Sequence, residues 1–159
     1  IQRVLSVNTP LAPSSVYAST KAALYFALKD WLPEAGLDFI WCRLFYLYGE
    51  GEDERRLVPT LHRKLACGEP VELTSGNQIR DFLEVGEAAR KIVASAMGTA
   101  KGAQNICSGF PVTVRQLAEK IADEYGRRDL LRFGARPDNA VDPACVLGIP
   151  SLLEADRNQ

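Results

Sequence analysis

Between Asp38 and Phe45 the chain runs Asp-Phe-Ile-Trp-Cys-Arg-Leu-Phe, almost continuously apolar and aromatic and broken only by Arg43. A half-buried strand alternates apolar and polar side chains, whereas a run that is apolar on both faces needs cover on both sides. That is the condition of a strand within a parallel sheet flanked by helices, so this segment predicts an α/β fold with a site at the strand's C-terminal end. The residues before it suit a helix. Ser14 or Ser15 can cap a stretch from Val16 to about Leu32, and Gly36 can take the left-handed conformation that closes it shortly after Pro33. Ala18, Ala22, Ala23 and Ala27 are small, while Val16, Leu24, Phe26, Leu28, Trp31 and Leu32 spread bulk around much of the helix. The helix is therefore expected to be buried on more than one side.

Further along, Leu57 to about Ala66 reads as a helix, Pro70–Thr74 as a short strand entering the Ser75-Gly-Asn turn, and Val85–Met97 as another helix. Ala103–Cys107 suits a short strand. Thr113-Val-Arg-Gln116 fits a capping box that opens a helix to about Tyr125, stopped by Gly126. Beyond it, Pro137, Pro143 and Pro150 punctuate an end that reads as loop-rich.

Nineteen Lys and Arg stand against twenty Asp and Glu, which leaves no cationic field for a nucleic-acid polymer or an anionic membrane surface. No apolar run approaches the roughly 20 residues of a membrane span, no signal peptide is expected, and the cytoplasm is the expected compartment. Cys42, Cys67, Cys107 and Cys145 are scattered without a Cys-x-x-Cys, and His62 is the only histidine. This pattern predicts no metal site and no disulfide framework, but buried free thiols.

The most chemically loaded pair is Tyr17 and Lys21, four residues apart at the start of the first helix. That spacing puts a phenol and an ammonium on one helical face. A free phenol titrates near pH ~10, so a phenol that accepts a proton near neutrality needs about 4 kcal/mol of extra stabilisation of its anion. A neighbouring lysine cation, helped by a positively charged cofactor ring, can supply it. The pair alone is weak as a motif, because any chain with several tyrosines and lysines has roughly a one-in-five chance of containing it.

Its neighbours raise the specificity. Pro10-Leu-Ala-Pro-Ser-Ser-Val-Tyr-Ala-Ser-Thr-Lys21 resembles the P-x-S-x-Y-x-x-S-K stretch of the extended short-chain dehydrogenase/reductases, the NAD-dependent nucleotide-sugar epimerases, dehydratases and 4-keto reductases. Further resemblances follow in order: Arg43-Leu-Phe-Tyr-Leu-Tyr-Gly49, Leu57-Val-Pro59, Gly76-Asn-Gln-Ile-Arg-Asp-Phe82, Val85-Gly-Glu-Ala-Ala89 and Asn105-Ile-Cys-Ser-Gly109. The resemblance implies the C-terminal part of a Rossmann-type parallel-sheet domain over 1–56, with the Tyr-x-x-x-Lys helix, followed by a small mixed α/β substrate-binding region over 57–159. It also implies an internal portion of a longer enzyme. The family's Gly-rich dinucleotide motif is expected upstream, and Gly49-Glu-Gly51 does not replace it, since Glu50, Glu52 and Asp53 would repel a pyrophosphate. The segment from Leu147 to Gln159 resembles the one that precedes the family's closing G-W-x-P.

By the same resemblance, Tyr17 is the acid/base and Lys21 its partner at the nicotinamide ribose, with Leu44 and Phe45 near the nicotinamide. Tyr17, Lys21, Leu44 and Phe45 thus form the expected cofactor contacts, for NAD in preference to NADP. The substrate contacts are Tyr46, in a place often held by asparagine, with Val58, Leu73, Arg80 and Arg136. Arg80 and Arg136 are suited to a nucleoside diphosphate. Arg80 has a structural alternative, an ion pair with Asp81 or Glu84, and Asp138-Asn139 replaces the family's usual Gly-Asp after Pro137. Ser14 and Ser15 are expected to cap the helix, not to act as the family's upstream Ser or Thr. The expected partners are a nucleoside-diphosphate sugar and a second copy of the enzyme. Two other readings stay open: a catalytically silent binding or assembly module on the same scaffold, and an enzyme acting on a non-sugar ketone or alcohol.

Overall fold

The structure, a computed structural model, describes residues 2–151, so Ile1 and the last eight residues of the expected closing segment lie outside the described residues. In chain order the elements are β1 (Gln2–Leu5), α1 (Val16–Glu34), β2 (Ile40–Leu44), β3 (Tyr46–Tyr48), α2 (Leu57–Ala66), β4 (Val71–Leu73), β5 (Ile79–Arg80), β6 (Phe82–Glu84), α3 (Val85–Met97), β7 (Gly102–Ile106), β8 (Val112–Thr113), α4 (Val114–Glu124), β9 (Leu131–Phe133) and β10 (Cys145–Gly148). Among the described residues no helix is long and apolar enough to cross a membrane.

Local signals account for the helices. Ser15 Oγ accepts a hydrogen bond from the Ala18 backbone at 3.2 Å and opens α1, which runs two residues past Leu32 with Pro33 in its last turn. Gly36, at φ +72°, closes it. At α4 the capping box is complete: Gln116 N donates to Thr113 Oγ1 at 3.0 Å, and Thr113 N donates to Gln116 Oε1 at 2.8 Å.

The fold is α/β with mainly parallel pairing. The strand expected over 38–45 divides at Phe45, so that β2 pairs parallel with β7 while β3 pairs parallel with β6. A matching division falls at Asp81 between β5 and β6. β5 lies between β10, to which it is parallel, and β8, to which it is antiparallel, and β10 also pairs parallel with β1. β4 and β9 form a separate parallel pair. The end that reads as loop-rich therefore contains β9 and β10. These strands of three and four residues are too short for the proline-punctuated sequence to announce them.

Asp81 joins these pieces. It is fully buried, and its carboxylate accepts from Ser108 N and Ser108 Oγ, both at 2.7 Å, and from Gly109 N and Gly148 N, both at 3.0 Å. Its backbone carbonyl accepts from Tyr46 N at 3.1 Å. Gly148 makes the approach possible, because a Cβ there would come within 2.5 Å of Cys107 Sγ and 2.8 Å of Phe45 Cζ.

Two apolar cores result. The larger packs α2 and α4 on β4 and β9 through residues such as Leu61, Leu65, Leu73, Leu117 and Ile121, and the smaller joins Leu83, Ala88 and Ile106 to Cys42, Leu47 and Ile92. α1 belongs to neither, and the expected burial on more than one side is not found: none of its residues is buried. Ala18, Ala22, Tyr25, Leu28 and Leu32 form one half-buried stripe, with Tyr25 5.5 Å from the ring of Trp41. Val16, Leu24, Phe26 and Trp31 are exposed, and the aromatic and cation contacts of α1 with β2 run through Tyr25.

The cysteines also depart in part from expectation. Cys107 and Cys145 are buried, Cys42 is half-buried, and Cys67 is exposed at the end of α2. Burial, and then the nearby Asp81 charge, pushes the Cys107 thiol up to about 12. Alkylation of the native protein is expected to label Cys67 first and to spare Cys107 until denaturant is added, as read by peptide mass spectrometry. The Asp81→Asn variant replaces one acceptor oxygen by a donor that faces backbone N–H groups. It should lower stability by about 2–5 kcal/mol, measured as a shift in the urea midpoint; an unchanged midpoint would refute the role given to this carboxylate.

Candidate functional site

Tyr17 and Lys21 lie in the first turns of α1, directly after the Ser15 cap. The helical spacing brings them together as expected, with Lys21 Nζ 5.8 Å from the centre of the Tyr17 ring. Tyr17 is 72% exposed, so its phenol is presented outward from the described structure. Ser14 and Ser15 are both exposed, and Ser15 is the residue that caps.

Beside the segment leading into α1, a cavity of about 490 Å³ opens at the C-terminal ends of β1 and β2. Ligands of open parallel sheets bind at such strand ends. Its walls include Leu5, Leu11, Leu44, Phe45, Tyr46 and Val146. Thus Leu44, Phe45 and Tyr46 fall together on one cavity, whereas Tyr17 and Lys21 are not among its lining residues. Two polar residues hold the walls in place. Arg43 donates to the Val7 carbonyl at 2.9 Å and lies over the Tyr25 ring at 5.3 Å. Asn105 Nδ2 donates to the carbonyls of Leu5 and Ile149 at 2.9 and 3.1 Å, which ties β7 to the ends of β1 and β10.

A second cavity, of about 370 Å³, shares Tyr46 and Arg56 with the first. Val58 lines it, together with Glu52, Thr74, Gln78, Arg80 and Asp142. Arg80 is 3% exposed. It donates to the carbonyls of Ile79 and Pro143, each at 2.8 Å, pairs with Asp142 Oδ2 at 2.6 Å and lies 5.1 Å from the centre of the Tyr46 ring. Its ion-pair partner is thus neither Asp81, whose carboxylate serves the strand junction, nor Glu84. The Glu84 carboxylate is held below the usual range by the backbone N–H groups of Gly86 and Glu87 at the start of α3.

Leu73 and Arg136 stand apart from both cavities. Leu73 is buried in the larger core, and Arg136 is exposed, its backbone N–H bonded to the Leu73 carbonyl at 3.0 Å. Among the lining residues given no role at the site by the sequence are Glu52, Arg56, Gln78 and Asp142. Arg56 and Glu52 belong to the charged run from Glu50 to Arg56, four acidic residues followed by two arginines, which carries no signal of a cavity wall. Asp138 is bonded to the turn beside the second cavity: Ser75, through hydroxyl and then backbone N–H, and the Thr74 and Gln78 side chains keep its carboxylate below the usual range.

A family model described as the NAD dependent epimerase/dehydratase family matches residues 2–107. The chain is 25% identical over 148 residues to the dTDP-6-deoxy-L-talose 4-dehydrogenase (NAD(+)) of Aggregatibacter actinomycetemcomitans, an alignment that covers 91% of this chain and 54% of that protein. Among solved structures it is similar to the UDP-N-acetylglucosamine 4-epimerase of Methanobrevibacter ruminantium M1 in complex with UDP-N-acetylmuramic acid, at TM-score 0.80 and 28% identity over 94% of this chain and 50% of that one. It shares its fold with the UDP-glucose 4-epimerase of Thermotoga maritima, at TM-score 0.85 and 20% identity over 99% of this chain and 51% of that one. The chain therefore spans about half the length of these proteins.

Proposed function

The chain belongs to the NAD dependent epimerase/dehydratase family, and we propose that it contributes the proton-transfer pair and the substrate cavity of an enzyme acting on a nucleoside-diphosphate sugar. The reaction on this reading is epimerisation, dehydration or 4-keto reduction. One observation carries it: a first cavity at the strand ends, walled largely by apolar side chains, adjoins a second that Arg80 lines, and the two share Tyr46 and Arg56.

The walls of the first cavity fit a nicotinamide, because Leu44, Phe45, Leu5 and Val146 offer apolar surface to a flat, weakly polar ring and Leu44 is 51% exposed. NAD, when bound, exchanges hydride with the sugar carbon. Leu44 and Phe45 would hold its ring end, and Lys21 its ribose hydroxyls. Tyr17 Oη takes the proton of the sugar hydroxyl during oxidation and returns it during reduction. The Lys21 ammonium, on the same face of α1, stabilises the phenolate in between. Tyr46 and Val58 border the sugar and nucleoside, Arg80 and Arg136 are the diphosphate contacts, and Leu73 backs the nucleoside wall from the core. On this reading 1–56 belong to the cofactor-binding domain and 57–159 to the substrate-binding region, in an enzyme working in the cytoplasm.

The exposed outer face of α1, with Leu24, Phe26 and Trp31, is the contact of a homodimer on this reading. The 159 residues alone are expected to lack turnover, since Tyr17 stands open to solvent at 72% exposure. In the whole enzyme, Tyr17→Phe should cut kcat by about a hundredfold or more while cofactor affinity stays near that of the unmodified enzyme, and Lys21→Met should weaken both. Steady-state kinetics and NADH titration separate these outcomes; near-normal turnover of Tyr17→Phe ends the proposed mechanism. Trp31→Glu should shift sedimentation equilibrium toward monomer, and unchanged association would exclude the α1 face.

A further inference from the structure

Both guanidinium groups that face the second cavity are already matched by a carboxylate of this chain. Arg80 pairs with Asp142 at 2.6 Å and Arg56 with Glu52 at 3.4 Å. Arg80 is 3% exposed and Asp142 34%, so the cation forms the floor and its counter-ion the rim. The turn that delivers Asp142 is itself ordered: Val141 N donates to Asn139 Oδ1 and Asp142 N to the Asn139 carbonyl, both at 3.1 Å, and the Pro143 carbonyl docks on Arg80 beside it.

The remaining hydrogen-bonding capacity has one sign. Glu52 Oε2 and Gln78 Oε1 are buried with no hydrogen-bond partner among the described residues, and both residues line this cavity. Gln78 Nε2 is turned toward Thr74 Oγ1 at 3.5 Å and Asp138 Oδ1 at 3.4 Å. Reversing the amide would set its oxygen against the Asp138 carboxylate, so the neighbourhood fixes Oε1 as the free atom. Buried acceptors without donors are costly and call for a ligand that donates.

We propose that Asp142 is a specificity-determining residue that occupies, on Arg80, the place a ligand phosphate needs, so that the cavity selects an uncharged, donor-rich group and a diphosphate must compete with Asp142. The donor-rich group is of nucleoside character, with ring N–H and hydroxyl groups to meet Glu52 and Gln78. This rests on the nucleotide-sugar reading above and adds to it the residue that sets the affinity for the charged part.

The test is calorimetric titration of the chain with uridine and UDP, and with thymidine and dTDP in parallel. In the unmodified protein, nucleoside and diphosphate should bind within about threefold of each other. Asp142→Asn should strengthen diphosphate binding by about tenfold or more, as expected when a charge-assisted phosphate contact is released, and leave the nucleoside within about twofold. The gain should vanish in the Arg80→Gln, Asp142→Asn double variant. A diphosphate that binds the unmodified protein at least tenfold tighter than its nucleoside, with no gain in Asp142→Asn, overturns the role of Asp142 while the nucleotide reading stands. Failure of every nucleoside and diphosphate to bind either protein overturns both. Thermal melting checks that the variants fold; where Asp142→Asn does not, the comparison on the unmodified protein decides alone.

Discussion

A carboxylate with no solvent exposure stands where the strands of this molecule change partners. Burying Asp81 costs several kcal/mol unless its oxygens are fully supplied with donors, and they are, by three backbone N–H groups and one hydroxyl. Those donors come from Ser108 and Gly109, just past β7, and from Gly148, the last residue of β10. The two strand ends must therefore converge on one point before the charge can be buried. Asn105 then reaches the ends of β1 and β10, and the first cavity opens at that level because its walls are the residues next to the junction.

Arg80 and Asp81 show how one extended stretch serves two purposes. Successive side chains of a strand point to opposite faces. Asp81 turns to the junction, so Arg80 turns to the second cavity, and two neighbours of opposite charge are kept from pairing by the backbone that joins them. This is why the ion pair suggested by adjacency in sequence is replaced by one to Asp142, sixty-two residues away. Tyr46 links both sides: its N–H is bonded to the Asp81 carbonyl while its ring meets the Arg80 guanidinium. The boundary between the two cavities is thus tied to the same residue that joins the strands.

What was legible in the sequence is what short-range physics decides. The capping box at Thr113, the helices of Leu57–Ala66 and Val85–Met97, and the Tyr17–Lys21 juxtaposition depend on residues a few positions apart, and they are found where expected. The C-terminal end of the apolar run does open on a cavity. β5, β6, β9 and β10 were not legible, since strands of two to four residues show too few side chains for a period to register and their partners are distant in sequence. Asp142 was hidden for the same reason. Nothing near it in sequence indicates that its charge would be spent on Arg80, and the second cavity's balance of donors and acceptors exists only once the chain has folded.

α1 is the part of the structure least determined by the described residues. Its half-buried stripe is narrow, with two alanines, one tyrosine and two leucines along it, and Tyr25 makes its aromatic contacts to the β2 side. The opposite faces carry Val16 at 83% and Trp31 at 62% exposure. Apolar area of this kind on a helix is surface that gains from being covered, at roughly 25 cal/mol per Å². If α1 is covered and carries the proton-transfer pair, as proposed above, the contact and the chemistry are linked through one rigid element. Tyr17 and Lys21 occupy the first two turns of the helix whose remaining turns carry Leu24, Phe26 and Trp31, so whatever packs on those residues also restrains the direction in which the phenol and ammonium are presented. On the reading proposed above, association through α1 and the placing of the proton acceptor are therefore one property of this helix and not two.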